Sequence, residues 1–311
     1  MYVSEIADKL GYELVGDDCQ IYGIGWYNVA KKNDIAIARN KTELHRTDAN
    51  VVLTEPVITY TTKTLLITYE SIDCSLVKIC KVLMDNGVYK DYSIPPQYTL
   101  NELGYYVGQD CNIDDTAIIQ PGVKIGNHVF VGANCVIDPD VYIGSGTFME
   151  DNVQIGSGSK IGVSSFYHYN KEEKLYNFNG IGRVKIGCGT VIGCNTVVQR
   201  GSLVDTCIGS NNMIGNCIDI GHDVKIGDNC KIVSQTGIAS NVEIKDNVTI
   251  YGQVGIANGV IIGNGVVIKG KTVVSKSVSD YDIVYGPFGR NYFEEMKLIT
   301  TIRKYFNRKD E

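Results

Sequence analysis

Isoleucine or valine recurs every sixth residue through the middle of the chain: Ile113, Ile119, Ile125, Val131, Ile137, Ile143, then Ile155 and Ile161, and after an interruption Ile186, Ile192 and Val198. The series restarts at Ile208 and reaches Ile268 without a missed step. Such a period fits neither an amphipathic helix nor an alternating strand, so each unit is a short strand and a turn with one apolar side chain inward. Three units close one triangular coil, and stacked coils make a parallel β-helix with a core column of Ile and Val. Glycine often follows the inward residue, as at Gly126, Gly144 and Gly227, and Asn or Asp crowds the same corners. Both suit a sharp turn, by lacking Cβ or by tolerating unusual φ/ψ.

Residues 1 to about 100 lack the period and read as a mixed α/β domain. Ser4 is placed to cap a short helix carrying Ile6, Ala7 and Leu10, while 51–53 and 65–67 read as strands. A second helix beginning near Asp73 puts Leu76, Ile79, Cys80 and Leu83 on one face, and Gly87 ends it. Pro95-Pro96 marks a linker, the solenoid spans 101–280, and 281–311 is a helical cap. Tyr281 to Arg290 is irregular. In the helix that follows, Tyr292, Phe293, Met296, Ile299 and Phe306 are apolar positions, expected to pack on the open end of the coil; Lys297, Arg303, Lys304 and Arg308 are its basic ones.

The period breaks twice. Between Ile161 and Ile186 lies a long loop with Phe166-Tyr167-His168-Tyr169 and a charged stretch Lys171-Glu172-Glu173-Lys174. The segment Gln199 to Thr206 is a second, shorter insertion. Insertions thrown out of a repeat scaffold mark a working face.

At 311 residues the chain has room for two or three domains. A formal charge of −6 and pI near 5.3 argue against a general nucleic-acid or anionic-membrane binder. No long apolar stretch spans a membrane, and Met1 to Glu5 lacks the pattern of a signal peptide, so a cytoplasmic protein is expected. Of ten cysteines, Cys111, Cys135 and Cys230 each sit two residues before an inward aliphatic, a slot for small side chains. Cys188 and Cys194, one repeat apart, are expected to stack on neighbouring strands, and no metal site is expected.

Four histidines can be weighed singly. His222 occupies the turn slot after Ile220-Gly221, where its imidazole is expected to leave the core, face solvent or a neighbouring subunit, and accept a proton near neutral pH. His168, among aromatics on the long loop, is a candidate nucleotide contact or a solvated loop residue. His128 lies in an ordinary corner, and nothing is assigned to His45.

The repeats resemble the hexapeptide-repeat acyltransferases, and that resemblance implies a left-handed β-helix. More closely, Arg200-Gly201-Ser202-Leu203-Val204-Asp205-Thr206 and Ile220-Gly221-His222-Asp223-Val224 resemble the Arg-Gly-Ala-Leu-Gly-Asp-Thr and Ile-Ala-His-Asn-Val runs of the UDP-3-O-(3-hydroxyacyl)glucosamine N-acyltransferases of lipid A synthesis. The resemblance extends to the opening Ile6 to Asp17, both breaks and the C-terminal helix. It implies that His222 is the general base, that Phe166, Tyr167, His168, Tyr169, Arg200, Asp219 and Asp223 lie toward the acceptor, and that the donor meets Gly221, Gly259 and Arg303. It also implies a homotrimer with sites between subunits and no tightly bound cofactor, the co-substrate being acyl-CoA or an acyl carrier protein.

The departures point to a different substrate. Ile37 and Glu43 stand where the family sandwiches uracil between aromatics, the family's Gly-Phe-Gly-Phe is replaced around Phe166 to Tyr169, and Gly259 replaces a second histidine. A nucleotide-linked amino sugar is therefore expected, with a dTDP-4-amino-4,6-dideoxyhexose ahead of the lipidated UDP-glucosamine of the lipid A enzyme. Such chemistry needs positioning, a proton acceptor and donors for the tetrahedral oxyanion, here a backbone N–H from a Gly corner. The rival readings are a zinc lyase on the same coil, which needs three converging histidines, and a bare spacer, which needs no insertions.

Overall fold

A computed structural model describes residues 1–56, 62–286 and 292–307. In the N-terminal domain, strands β1 (Glu13–Val15), β2 (Gly23–Trp26), β3 (Asp34–Ile37), β4 (Val51–Thr54) and β5 (Thr64–Ile67) form one sheet in the order β1-β5-β4-β3-β2. Only the β1–β5 pair is antiparallel. Helix α1 (Val3–Leu10) starts at Tyr2 rather than Ser4. Glu5 reaches back to the Tyr2 N–H at 2.6 Å, and the Ser4 hydroxyl is taken by Asp18 at 2.7 Å. The short helix α2 (Lys41–Arg46) follows β3. Helix α3 (Ile72–Asp85) has its first turn capped by Ser71, and it buries Leu76, Ile79, Cys80 and Leu83, the face that spacing predicts.

The six-residue period builds three sheets of ten, eight and nine strands, parallel apart from the first pairing. Ile125 lies beside Ile143, and Ile226 beside Ile244 and then Ile262, so one coil is three repeats and the aliphatics stack in columns. Each fully buried Ile contributes about 1.5–3 kcal/mol from burial. The corner glycines have a different cause from the one expected. A Cβ at Gly126 would lie 2.5 Å from Ser145 N and one at Gly144 only 2.1 Å from Gly162 O, so these glycines let adjacent coils touch. The left-handed φ falls elsewhere in the corner, on His128 (56°), Asn134 (55°) and Asp223 (60°) among others.

Other expectations are corrected. The coil continues past residue 280, into the stretch expected to be irregular, with a strand at Ile283–Val284 paired to Val267–Ile268. Cys188 and Cys194 do not stack: six positions is one corner of the triangle, and Cys194 instead accepts through its carbonyl from Cys217 N on the next coil. The in-phase thiols do fill their slots, with Cys111, Cys135 and Cys230 Sγ each 3.0 or 3.1 Å from a carbonyl of the adjacent coil. The C-terminal helix spans Tyr292–Asn307; of its expected packing positions Met296 is 42% exposed, and the side chains of Tyr292, Phe293 and Phe306 lie outside the described residues. Residues 287–290 of the irregular stretch, and Arg308, lie outside the described residues. Among the described residues no helix is long and apolar enough to cross a membrane.

Both breaks serve the N-terminal domain. The long loop is an antiparallel hairpin, Tyr167–Lys171 against Lys174–Phe178, which lies on α3. Phe178 and Ile181 after it, and Leu203 in the second break, are buried with Ile24, Leu76 and Ile79 in one cluster. Sheet, helix and solenoid are fastened together there.

Candidate active site

The second break wraps a carboxylate. Asp223 Oδ1 accepts backbone N–H bonds from Ser202 at 2.8 Å and from Leu203 and Val204 at 3.2 Å. Oδ2 accepts from the Ser202 hydroxyl, from Trp26 Nε1 at 3.4 Å and from His222 Nδ1 at 2.8 Å. A shell made only of donors suits a carboxylate, which accepts and cannot donate. His222 Nδ1 therefore carries a ring proton, and in the neutral imidazole Nε2 has the lone pair of a base. Of the two acids flanking His222, Asp223 is the one bonded to it.

The imidazole does not face open solvent as expected. His222 is 5% exposed and Asp223 4%, because the hairpin and β2 fold over the corner. The Tyr167 ring stands edge-on to His222 at 5.8 Å.

His222 opens onto a cleft of about 670 Å³. Its floor follows from the coil register: Asn241 N donates to His222 O at 3.0 Å and Gly259 N to Ser240 O at 3.1 Å, which brings Ser240 and Asn258 in line behind His222. Glu243 lies beside Lys225 on the adjoining strand. The N-terminal domain supplies the opposite wall with Trp26, Asn28, Ile37, Arg39 and Glu43. Arg39 stacks 5.5 Å over the Trp26 ring, and its Nη2 meets Asp73 Oδ1 at 2.6 Å. The Tyr167 hydroxyl donates to the same Asp73 oxygen at 2.6 Å. Burial and Asp73 push that hydroxyl far above the ordinary phenol range, so it stays a donor.

The remaining sequence candidates separate. Phe166, Tyr167 and His168 line the cleft, with Phe166 73% exposed and 5.4 Å from the His168 ring. Tyr169 does not line it; it stacks on Tyr176 at 5.7 Å and packs on the N-terminal core. Arg200 is 3% exposed, donates to the Ser145 carbonyl and lies 5.5 Å over Tyr92, so it fastens the linker instead of meeting a ligand in the cleft. Burial pushes its guanidinium pKa down. Asp219 lines a neighbouring groove with Gln199 and Phe166, where burial raises its carboxyl pKa.

The Gly-corner oxyanion donor is corrected as well. Gly221 N is bonded to Ile238 O at 2.9 Å and Gly259 N to Ser240 O at 3.1 Å, so neither N–H is free. Gly259 still borders the cleft; the side chains of Ser240, Asn241 and Asn258 are the donors there. Arg303 is exposed on the C-terminal helix and is not part of the cleft wall.

Sequence reasoning missed Trp26, Ser240, Asn241, Glu243 and Asn258. The signal for the solenoid residues was the coil length, since they recur one or two coils after the His222 corner. Trp26 is the only tryptophan in the chain.

The bacterial transferase hexapeptide family (six repeats) matches residues 104–139. No curated protein matches the chain. Among solved structures, a UDP-N-acetylglucosamine acyltransferase from Francisella novicida is similar, at 28% identity and a TM-score of 0.55, over 66% of this chain and 79% of that one. The Arabidopsis UDP-N-acetylglucosamine acyltransferase gives 25% and 0.53, over 58% and 63%. The Moraxella catarrhalis UDP-N-acetylglucosamine O-acyltransferase gives 23% and 0.55, over 63% and 76%, a likeness of fold. The chain is thus a left-handed β-helix whose residues 104–139 match transferase hexapeptide repeats. Repeat family and neighbours together support an acyltransferase.

Proposed function

We propose that the protein moves an acyl group from an acyl thioester to the amine of a nucleotide-linked amino sugar, with acyl-CoA as donor and a dTDP-4-amino-4,6-dideoxyhexose as acceptor. The observation that carries this reading is the buried His222–Asp223 pair, whose Nε2 is left as the base of a cleft roofed by the N-terminal domain. In the reaction the amine nitrogen attacks the thioester carbonyl, and its proton passes to His222 Nε2. The oxyanion is met by side-chain donors among Ser240, Asn241 and Asn258. Collapse breaks the C–S bond, and the imidazolium returns the proton to the leaving thiolate. Glu43 and Glu243, the latter paired with Lys245, give the cleft polar acceptors for an amine, while Arg39 and Trp26 offer a cation and aromatic faces for a nucleotide. Assembly as a homotrimer belongs to the same proposal.

A second reading joins a UDP-linked sugar acceptor, for which the names of the neighbours above speak, to an acyl carrier protein as donor, which the resemblance to the lipid A N-acyltransferases implies. Titration calorimetry with UDP, dTDP and coenzyme A, followed by thiol release and mass spectrometry of the acylated sugar, separates the two. Binding of dTDP and coenzyme A, with transfer lost in His222→Ala, is the expected result. UDP preference without heat from coenzyme A supports the second reading, and no nucleotide binding at all refutes both.

A further inference from the structure

We infer that Trp26 is a positioning residue that links the acceptor-facing wall of the cleft to the base. The inference rests on the function proposed above. Trp26 ends β2, and its carbonyl accepts from both Val29 N and Ala30 N at 2.9 Å, which pins the backbone. Its side chain does two things at once. The indole N–H reaches Asp223 Oδ2 at 3.4 Å, the oxygen that also takes His222 Nδ1. The ring faces Arg39 at 5.5 Å and Tyr167 at 6.0 Å, and all three side chains line the cleft.

A contact of this length is at the weak end for an N–H donor, and catalytic hydrogen bonds often shorten only when substrate is bound. An acceptor seated against Arg39 presses on the Trp26 ring, and the only polar atom of that ring points at the carboxylate that orients the base. Trp26 thereby helps hold Asp223 in the geometry that sets the Nδ1–H tautomer of neutral His222 and aims Nε2 into the cleft. The groups around the imidazole in this account are Asp223 and Tyr167, with His168, Glu43, Glu243 and Arg39 on the other walls of the cleft.

The test is Trp26→Phe, which keeps an aromatic wall and removes the N–H. Acceptor KM is expected to stay within about twofold while kcat falls about tenfold or more, as for loss of a hydrogen bond to a charged group. The acid limb of the kcat profile is expected to move with it. Long-range proton–nitrogen NMR on the free protein, where only four imidazoles must be assigned, is expected to show His222 as the Nδ1–H tautomer and to show that preference weakened in the variant. Unchanged kcat with an unchanged His222 ring signal overturns the inference.

If wild type acylates no amino sugar, the function fails, yet the ring nitrogens still decide the link between Trp26 and His222. If Trp26→Phe does not fold, wild type suffices: its single indole N–H resonance is expected to titrate in step with His222. An indole signal indifferent to that titration refutes the link.

Discussion

Asp223→Asn isolates the orientation of the base from every other feature of the cleft. The substitution keeps size and shape but turns one acceptor into a donor. If the amide oxygen stays with the Ser202, Leu203 and Val204 N–H groups, the new NH2 faces Trp26 Nε1 and His222 Nδ1. The reverse orientation sets the NH2 against three backbone donors, which is worse. The imidazole must then accept at Nδ1 and carry its proton on Nε2, where it cannot take one from the acceptor amine. Loss of a general base costs about 10² to 10⁴ in rate, so kcat is expected to fall within that range with acceptor KM little changed. Weakening the charge-assisted bonds that Asp223 accepts and opposing the Trp26 N–H destabilises the fold by about 2–4 kcal/mol. Thiol release under saturating donor measures the first effect, and urea unfolding the second. A variant retaining a third or more of wild-type kcat, with its acid limb in place, refutes the assignment of Asp223 to His222.

Further outcomes are expected elsewhere. Gly144→Ala places a Cβ 2.1 Å from Gly162 O and is expected to cost about 1–3 kcal/mol or more, whereas Gly237→Ala points into open space and should stay within about 0.5 kcal/mol; paired urea melts compare them. Glu243→Gln leaves its ion-pair partner Lys245 unneutralised beside the cleft and is expected to raise the KM for an amine acceptor about threefold while leaving the donor KM alone, the size of a partly exposed charge effect, as steady-state kinetics will show. Asp205 is partly buried, which alone would raise its pKa, but Lys185 at 2.9 Å and Arg183 at 3.2 Å bring it below the ordinary carboxylate range. A pKa depressed in the folded state stabilises fully above the unfolded value and is lost as pH falls through the folded one. Asp205→Asn is thus expected to be less stable than wild type at neutral pH, with the gap closing in acid below about pH 4.

The solenoid was legible because its rule is local. One inward aliphatic in six positions fixes strand, corner and column, and Ile125 beside Ile143 is the direct result. Helix α3 was legible for the same reason, its buried face being written at helical spacing. The glycines were legible as corners but not in their cause, since a close approach between coils is a contact between residues about eighteen apart. The burial of His222 was not legible either. It depends on Tyr167 and Trp26, which stand 55 and 196 positions away and meet the imidazole or its carboxylate only after the N-terminal domain docks.

The two breaks in the period explain why that docking occurs. A bare coil presents His222 on an outer corner, where a histidine is one more polar turn residue. The first break sends out a hairpin whose Tyr167 covers the ring and whose Phe178 enters the N-terminal core. The second break turns three N–H groups onto Asp223 and sends Leu203 into the same core. Each insertion therefore has one end in the N-terminal domain and the other on the His222–Asp223 pair. Stability of the domain junction and orientation of the base are held by the same residues. Cutting Leu203 back to alanine is expected to cost about 2–5 kcal/mol as a buried truncation and to lower kcat as well, although Leu203 does not line the cleft. A Leu203→Ala protein that melts early yet turns over at the wild-type rate below its transition refutes this coupling.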